Sequence, residues 1–285
     1  MVKHELSIAI PASLVSDVPH LREKTIKIGI VARAAAIFHV SEIIVFSDTK
    51  DRDQSREADL ITAVLSYMET PQYLRKRLFG MRSELRYAGV LPPLRTPHHP
   101  LTNRTKDVVD GEYRDGVLVA RSRDGSLIDV GLESYVLLRS KKIPLNSRVT
   151  VKLKRHKKFL EARLAERNAI PQYWGYRPTP FGLTIGKLVK ERSFDLIIAT
   201  SKYGRPFWKV SETLIPRCRR AQKILIAFGA PSRGLYELCR QEDIDLDEVS
   251  DFVVNMIPNQ GVETVRTEEA LSVTLGILNL MTAKG

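Results

Sequence analysis

Phe252-Val253-Val254-Asn255 runs directly into Met256-Ile257-Pro258-Asn259-Gln260-Gly261-Val262-Glu263-Thr264-Val265-Arg266-Thr267-Glu268-Glu269-Ala270. The first four residues read as a short buried strand, and the apolar spacing after Ala270 reads as a helix. Between them Pro258 and Gly261 bar regular structure, which leaves backbone amides and carbonyls free of a ladder. Thr264 or Thr267 suits the helix N-cap, and Glu268 and Glu269 suit its first turn, where the helix dipole favours negative charge. Strand, irregular loop and helix fit two readings. One is a small polar ligand held by main-chain atoms, and the other is an ordinary connection in an α/β domain.

Two further apolar runs have the same ending. Asp195-Leu196-Ile197-Ile198-Ala199-Thr200-Ser201 and Lys223-Ile224-Leu225-Ile226-Ala227-Phe228-Gly229 each close on small or polar residues, as parallel strands do where a crevice lies beyond their carboxyl ends. Near the N-terminus, Leu6 to Ile10 and Ile43 to Phe46 read as strands and Leu21 to Val40 as a helix with Ile26, Ile30, Ala34 and Ile37 at helical spacing, the pattern of a buried stripe. A second helix runs from Glu57 to Met68. The alternation predicts a parallel sheet.

That rhythm stops at the extended connector Leu91-Pro92-Pro93-Leu94-Arg95-Thr96-Pro97-His98-His99-Pro100. His98 and His99 are adjacent with no third ligand near them in sequence, a poor metal-chelating arrangement. Beyond them the period falls to two. Val117–Ala120 and Leu127–Val130 flank Arg123-Asp124-Gly125-Ser126, with Asp-Gly as a hairpin turn, and Val149, Val151 and Leu153 alternate with Thr150, Lys152 and Lys154. Short strands in this number predict a small all-β barrel over residues 100–167, inserted between two parts, 1–95 and 168–285, of one discontinuous α/β domain.

Of the 285 residues 45 are Lys or Arg and 33 Asp or Glu, a net charge of +12 that points to a polyanion partner. Arg75, Lys76, Arg77, Arg82, Arg86 and Arg95 face only Glu84, and Lys152, Lys154, Arg155, Lys157 and Lys158 meet no acid before Glu161. Arg75, Arg77, Lys152, Lys154, Lys157 and Lys158 are therefore the candidate contacts to a nucleic-acid phosphate backbone, against the alternative that each cluster is a solvated face. Tyr113, Tyr135 and Phe159 are the barrel aromatics able to stack on bases. Cys218 and Cys239 are too few for a disulfide framework or a cysteine-based metal site. No apolar run approaches the roughly 20 residues of a membrane helix, and Met1-Val2-Lys3-His4-Glu5 does not read as a secretory leader, so the expectation is a cytoplasmic protein with neither membrane nor metal as partner.

No P-loop, Gly-x-Gly-x-x-Gly run or assignable catalytic triad is present. The chain instead resembles the SPOUT, or α/β-knot, superfamily of RNA methyltransferases. It is most similar to the archaeal and eukaryotic RNA uridine N3 methyltransferase branch, in which an oligonucleotide-binding (OB-like) barrel is inserted in the catalytic domain. The likeness is carried by Ala32-Arg33-Ala34-Ala35-Ala36-Ile37-Phe38, Tyr67-Met68-Glu69-Thr70-Pro71-Gln72-Tyr73-Leu74-Arg75, Gly89 to Pro100, Tyr173-Trp174-Gly175-Tyr176 and Val262 to Ala270. The resemblance implies a parallel α/β sheet with a C-terminal trefoil knot, a departure from unknotted chains. It also implies S-adenosylmethionine as cofactor, a homodimer that completes each active site, and RNA, ribosomal RNA foremost, as substrate.

Carried over by motif, Thr200, Ser201, Gly229, Asn255, Ile257, Gln260, Thr264 and Val265 would bind the cofactor. Gly229 would leave room for the ligand or serve as a turn glycine. Arg33, a charge in an alanine-rich helix, would serve catalysis or a structural ion pair. Glu263 and Arg266 read as a pair across one helical turn. Two rivals stay open, a non-catalytic RNA-binding or ribosome-assembly factor and a ribose 2′-O methyltransferase.

Overall fold

A computed structural model describes residues 5–50, 52–140, 143–156 and 159–283. In chain order the strands are β1 (Glu5–Pro11), β2 (Glu42–Phe46), β3 (Tyr113–Ser122), β4 (Gly125–Asp129), β5 (Val136–Leu138), β6 (Arg148–Arg155), β7 (Leu160–Leu164), β8 (Arg177–Phe181), β9 (Leu196–Pro206), β10 (Lys223–Ala227) and β11 (Phe252–Asn255). The α-helices are α1 (Leu21–Ile37), α2 (Ser55–Glu69), α3 (Gln72–Leu78), α4 (Ile185–Glu191), α5 (Phe207–Arg220), α6 (Leu235–Arg240), α7 (Leu246–Val249) and α8 (Thr267–Thr282). The chain divides into two compact units, one of Met1–Ser66, Glu84–Pro92 and Tyr176–Gly285, the other of Tyr67–Ser83 and Pro93–Gly175. Thus Tyr67–Ser83, assigned to the sheet on the sequence, goes with the barrel.

The first unit is built on a six-stranded parallel sheet in the order β11-β9-β10-β1-β2-β8. After β9 the chain turns back across the sheet to β10, and after β10 it turns again to reach β11, so three neighbouring strands end in loops that run in opposed directions. Crevices form at such reversals. The central strands are apolar on both faces: Ile8, Ala9, Ile10, Ile43, Ile44, Leu225 and Ile226 are all buried, as a sheet covered by helices requires.

Helix α1 corrects the sequence reading. Its buried residues are Thr25, Lys27, Ile28, Gly29, Val31, Ala32, Ala34, Ala35 and Ala36, whereas Ile26, Ile30 and Ile37 face outward, Ile37 being 56% exposed. Small residues bring the helix close to its neighbours and leave the large aliphatic stripe outside. The charge buried in this helix is Lys27. Its ammonium lies 2.7 Å from Asp17 and 3.3 Å from Glu268 at the start of α8. A buried ammonium persists only with such partners.

In the second unit β3-β4-β5-β7-β6 close into a barrel around Val108, Ile128, Val130, Val151, Leu153 and Ala162. The hairpin turn is Arg123-Asp124 and not Asp-Gly, because Ser122 already pairs with Gly125. Gly125 is the first strand residue, and a Cβ there would collide with the Leu138 carbonyl. Beside the barrel sits a buried polar cluster. The Glu69 carboxylate is held by Arg148 at 2.6 Å and Arg167 at 2.7 Å, with His98 at 3.4 Å. Asp115 accepts from Arg148, from Thr150 at 2.7 Å and from the Trp174 indole at 3.0 Å. His98 and His99 both direct Nε2 at the Glu69 carbonyl, at 2.8 and 2.7 Å. No group of three or more His, Cys, Asp or Glu residues suited to a metal ion occurs among the described residues. None of their helices is long and apolar enough to cross a membrane.

Candidate functional site

The carboxyl ends of β9, β10 and β11 open on a cavity of about 280 Å3 in the first unit. All eight cofactor positions named from the sequence, Thr200, Ser201, Gly229, Asn255, Ile257, Gln260, Thr264 and Val265, lie on its wall. Local sequence explains the shape. The Thr200 hydroxyl donates to the Ala227 carbonyl at 2.9 Å and ties the end of β9 to that of β10. The Thr267 hydroxyl donates to the Gly229 carbonyl at 3.0 Å and fixes the first residue of α8 against the same edge.

A Cβ on Gly229 would lie 3.1 Å from Gly234 Cα and 3.2 Å from the Arg233 carbonyl oxygen. Its lack of a side chain therefore serves the tight loop closed by the 2.8 Å bond from Ala230 N–H to Arg233 O, and a large side chain must reshape that wall. The loop after β11 is equally self-made. Asn255 accepts from the Ile257 amide at 3.0 Å and donates to the Lys202 carbonyl at 2.9 Å. The Gln260 amide donates to the carbonyls of Val262 and Glu263 at 2.8 and 3.0 Å.

With those side-chain donors engaged, the wall offers backbone groups, apolar Ile257 and Val265, the polar side chains of Ser201, Lys202, Arg233 and Glu237, and one fully buried hydroxyl. That hydroxyl belongs to Thr274, which lines the cavity, is fully buried and has no hydrogen-bond partner. An unsatisfied polar atom on a cavity wall is what a polar ligand would complete. Neither Thr264 nor Thr267 caps α8. Arg266 is the N-cap residue, and its backbone N–H donates to the Glu269 carboxylate at 2.9 Å. Glu263 lies before the helix, so it and Arg266 are not spaced across a helical turn.

Arg33 is not on this wall. It is half-buried, and it lines a separate cavity of about 400 Å3 in the same unit with Ile26, Ile30, Ile37, Val90 and Pro92. Among the RNA-contact positions of the second unit, Arg75 donates to the carbonyls of Thr70 and Met68 at 2.9 and 3.1 Å and lies over the Tyr67 ring. Arg77 is held by Asp129 at 3.0 Å and Tyr135 at 2.9 Å. Both therefore serve internal contacts. Lys152 and Lys154 are exposed on β6, the former with its ammonium 5.3 Å from the Tyr113 ring centre. Lys157 and Lys158 lie outside the described residues.

Sequence reading missed Thr274, which looks like one more helix residue, and Gly204. At Gly204 a Cβ would lie 2.8 Å from three backbone atoms of Val253 and Val254. Cys218 and Cys239 are both buried, and burial pushes their thiols up to about 11 and about 12.

Residues 5–278 match a family described as "Putative RNA methyltransferase". A protein named 28S rRNA (uridine-N(3))-methyltransferase from Mus musculus is 32% identical over 96% of this chain and 76% of its own length. The Homo sapiens protein of that name is 30% identical over 96% of this chain and 78% of its own. An uncharacterized protein of Halobacterium salinarum is 32% identical over 96% of this chain and 98% of its own.

Proposed function

The chain belongs to this RNA methyltransferase family, and on that premise we propose that it moves a methyl group from S-adenosylmethionine to N3 of an unpaired uridine in ribosomal RNA. The observation that carries the reading is the cavity at three parallel strand ends, with eight named positions on its wall and the unsatisfied Thr274 hydroxyl inside it. Ile257 and Val265 would flank the adenine, and the backbone of the Asn255–Val265 loop and Thr274 would take its polar groups. The cofactor supplies an electrophilic methyl on a sulfonium. The protein's share is alignment: walls fixed by the Thr200, Thr267 and Asn255 hydrogen bonds hold donor and acceptor in line, which by itself lowers the barrier substantially.

N3 of uridine lies on the Watson–Crick edge, so the base must be unpaired, and its proton must pass to solvent water as the N–CH3 bond forms and the sulfonium C–S bond breaks. Arg33 fits the developing anion, because a guanidinium stays charged and presents a planar fork to an O–C–N edge. It lines a different cavity from Gly229, under the exposed stripe of Ile26, Ile30 and Ile37. The homodimer reading joins the two observations: a second copy covers the stripe, and Arg33 acts in the partner's site. The finer fold reading, a C-terminal trefoil knot and an OB-like inserted barrel, belongs to the same proposal.

Three measurements test it. Mass spectrometry of ribosomal RNA treated with the purified protein should find N3-methyluridine, and a methylated ribose instead would refute the acceptor. Calorimetry should show S-adenosylmethionine binding lost in folded Gly229→Leu, and unchanged affinity would remove the cavity. Mixing Arg33→Ala with Gly229→Leu should restore part of the activity that each lacks. Failure of that rescue with both variants dimeric would place Arg33 outside the partner's site.

A further inference from the structure

β9 and β11 do not pair evenly. Ala199 is opposite Val253, but Val254 is opposite Arg205, so the five residues Thr200–Gly204 bulge out of the ladder at the rim of the cavity. The bulge is a built feature. Gly204 lets the returning strand pass within van der Waals reach of the β11 backbone, Asn255 clamps the Lys202 carbonyl, and the Tyr203 amide donates to the Ser201 hydroxyl at 3.2 Å. Its backbone is thus fixed while the side chains of Lys202 and Tyr203 stand in solvent.

Those side chains are unusual for a free surface. Tyr203, on the cavity wall, is 75% exposed, and Trp208, at the start of α5, is 56% exposed. Around them Lys202, Arg205 and Lys209 are all exposed, and no acid occurs from Ser201 to Ser211. Lys202 already lies 5.2 Å from the Tyr203 ring centre. Rings for stacking interleaved with cations for phosphate are how single-stranded nucleic acid is held. A protein partner is the poorer fit, since interface cores are depleted of lysine.

Resting on the methyltransferase reading above, we propose that the Thr200–Gly204 bulge is the platform for the acceptor strand. Tyr203 stacks on an unpaired RNA base at the mouth of the cavity, and Lys202 and Arg205 hold the phosphates that flank it. The fixed backbone keeps the ordering cost of binding small. Asn255, which shapes the cavity loop and clamps the bulge, links the two halves of the site.

The test uses the full chain, a fluorescently labelled short oligouridylate read by anisotropy over a salt series, and calorimetry with S-adenosylmethionine. Tyr203→Ala should weaken oligouridylate binding about 5- to 100-fold, while Tyr203→Phe and Tyr203→Trp keep it, because stacking needs a ring and not the hydroxyl. Lys202→Gln with Arg205→Gln should lower the logarithmic salt slope by about 1.4, the value for two single-strand phosphate contacts. Unchanged binding in Tyr203→Ala, or equal loss in Tyr203→Phe, would overturn the platform. So would a Tyr203→Ala protein that sediments as a smaller species with RNA affinity intact, since the ring would then serve a protein contact. Wild-type protein that binds the oligonucleotide through Tyr203 but never binds S-adenosylmethionine would sink the methyl-transfer reading and leave the platform standing.

Discussion

In the barrel unit, Arg75 closes the carbonyls of Thr70 and Met68 and Arg77 is shared by Asp129 and Tyr135, whereas in the sheet unit Lys202, Arg205 and Lys209 stand exposed beside open rings. On the sequence the first stretch, with six Lys and Arg between Arg75 and Arg95, carries more positive charge than Lys202, Arg205 and Lys209 do, but in the structure Arg75 and Arg77 direct theirs at internal acceptors. A cation counts toward a polyanion only after its internal acceptors are subtracted; those of Arg75 are carbonyls a few residues earlier, and those of Arg77, Asp129 and Tyr135, lie far along the chain. The same difference separates stability from function. The polar groups of the barrel unit converge inward on Glu69, whereas in the sheet unit the Thr274 hydroxyl on the cavity wall has no hydrogen-bond partner and Lys202 and Tyr203 stand exposed at its rim.

The largest effect should come from breaking the inward side of that comparison. Glu69 is 3% exposed, and although burial pushes its carboxyl up, Arg148, His98 and Arg167 outweigh burial and hold it down at about 2. Glu69→Ala should cost about 3–5 kcal/mol, since it leaves guanidinium groups half-buried without their carboxylate. The fluorescence of buried Trp174 in urea would report it, and a loss below about 1 kcal/mol would show the cluster to be ornamental. The pH dependence has a definite sign. A depressed carboxyl contributes stability above its unfolded value of 4.5 and loses it as pH falls toward 2. Burial with His98 beside it holds His99 down at about 4, so acid also favours the unfolded state from 6.5 downward. The urea midpoint should therefore fall steadily below pH 6.5, and a flat profile would contradict both assignments.

Next in size is Gly204→Ala in the sheet unit. The added methyl meets the Val253–Val254 backbone at 2.8 Å and should cost about 1–3 kcal/mol while weakening S-adenosylmethionine binding through the displaced Asn255. Unchanged thermal stability and affinity would mean that the bulge tolerates what its packing forbids. Smaller still is the contrast among surface cations. Lys152→Gln with Lys154→Gln should reduce the salt dependence of RNA binding by about 1.4 in logarithmic slope if both touch a single strand. Arg77→Ala should cost under about 1 kcal/mol of stability, as exposed pairs do, and leave RNA affinity unchanged. A larger RNA effect from Arg77 than from the two lysines would undo the distinction between engaged and available charge.

The parallel sheet, the inserted barrel and the strand ends that open on a cavity were legible because each rests on local pattern. Apolar runs that stop at Thr200-Ser201, Phe228-Gly229 and Asn255 have few alternatives to buried parallel strands, and all three do end on one cavity. Alternation at Val149, Val151 and Leu153 likewise put Lys152 and Lys154 outside. The loop chemistry was less legible: Thr264 and Thr267 both look like caps, yet the helix starts at Thr267 and the threonine hydroxyl serves the Gly229 carbonyl instead.

By itself the sequence determined that a parallel sheet is interrupted by a smaller all-β unit and which strand ends open on the cavity, since composition and period act over a few neighbouring residues. Tertiary structure alone decided which face of α1 is buried, because Ala32 and Ala36 pack closely where Ile30 and Ile37 could not, and Lys27 goes inside only because Asp17 and Glu268 wait there. It also decided which arginines are engaged, and that five residues of β9 leave the ladder to carry Tyr203 to the cavity mouth. Each of these depends on a partner distant in the chain, and the free energy of a buried charge or a close backbone approach is set by that partner and not by the residue's own neighbours.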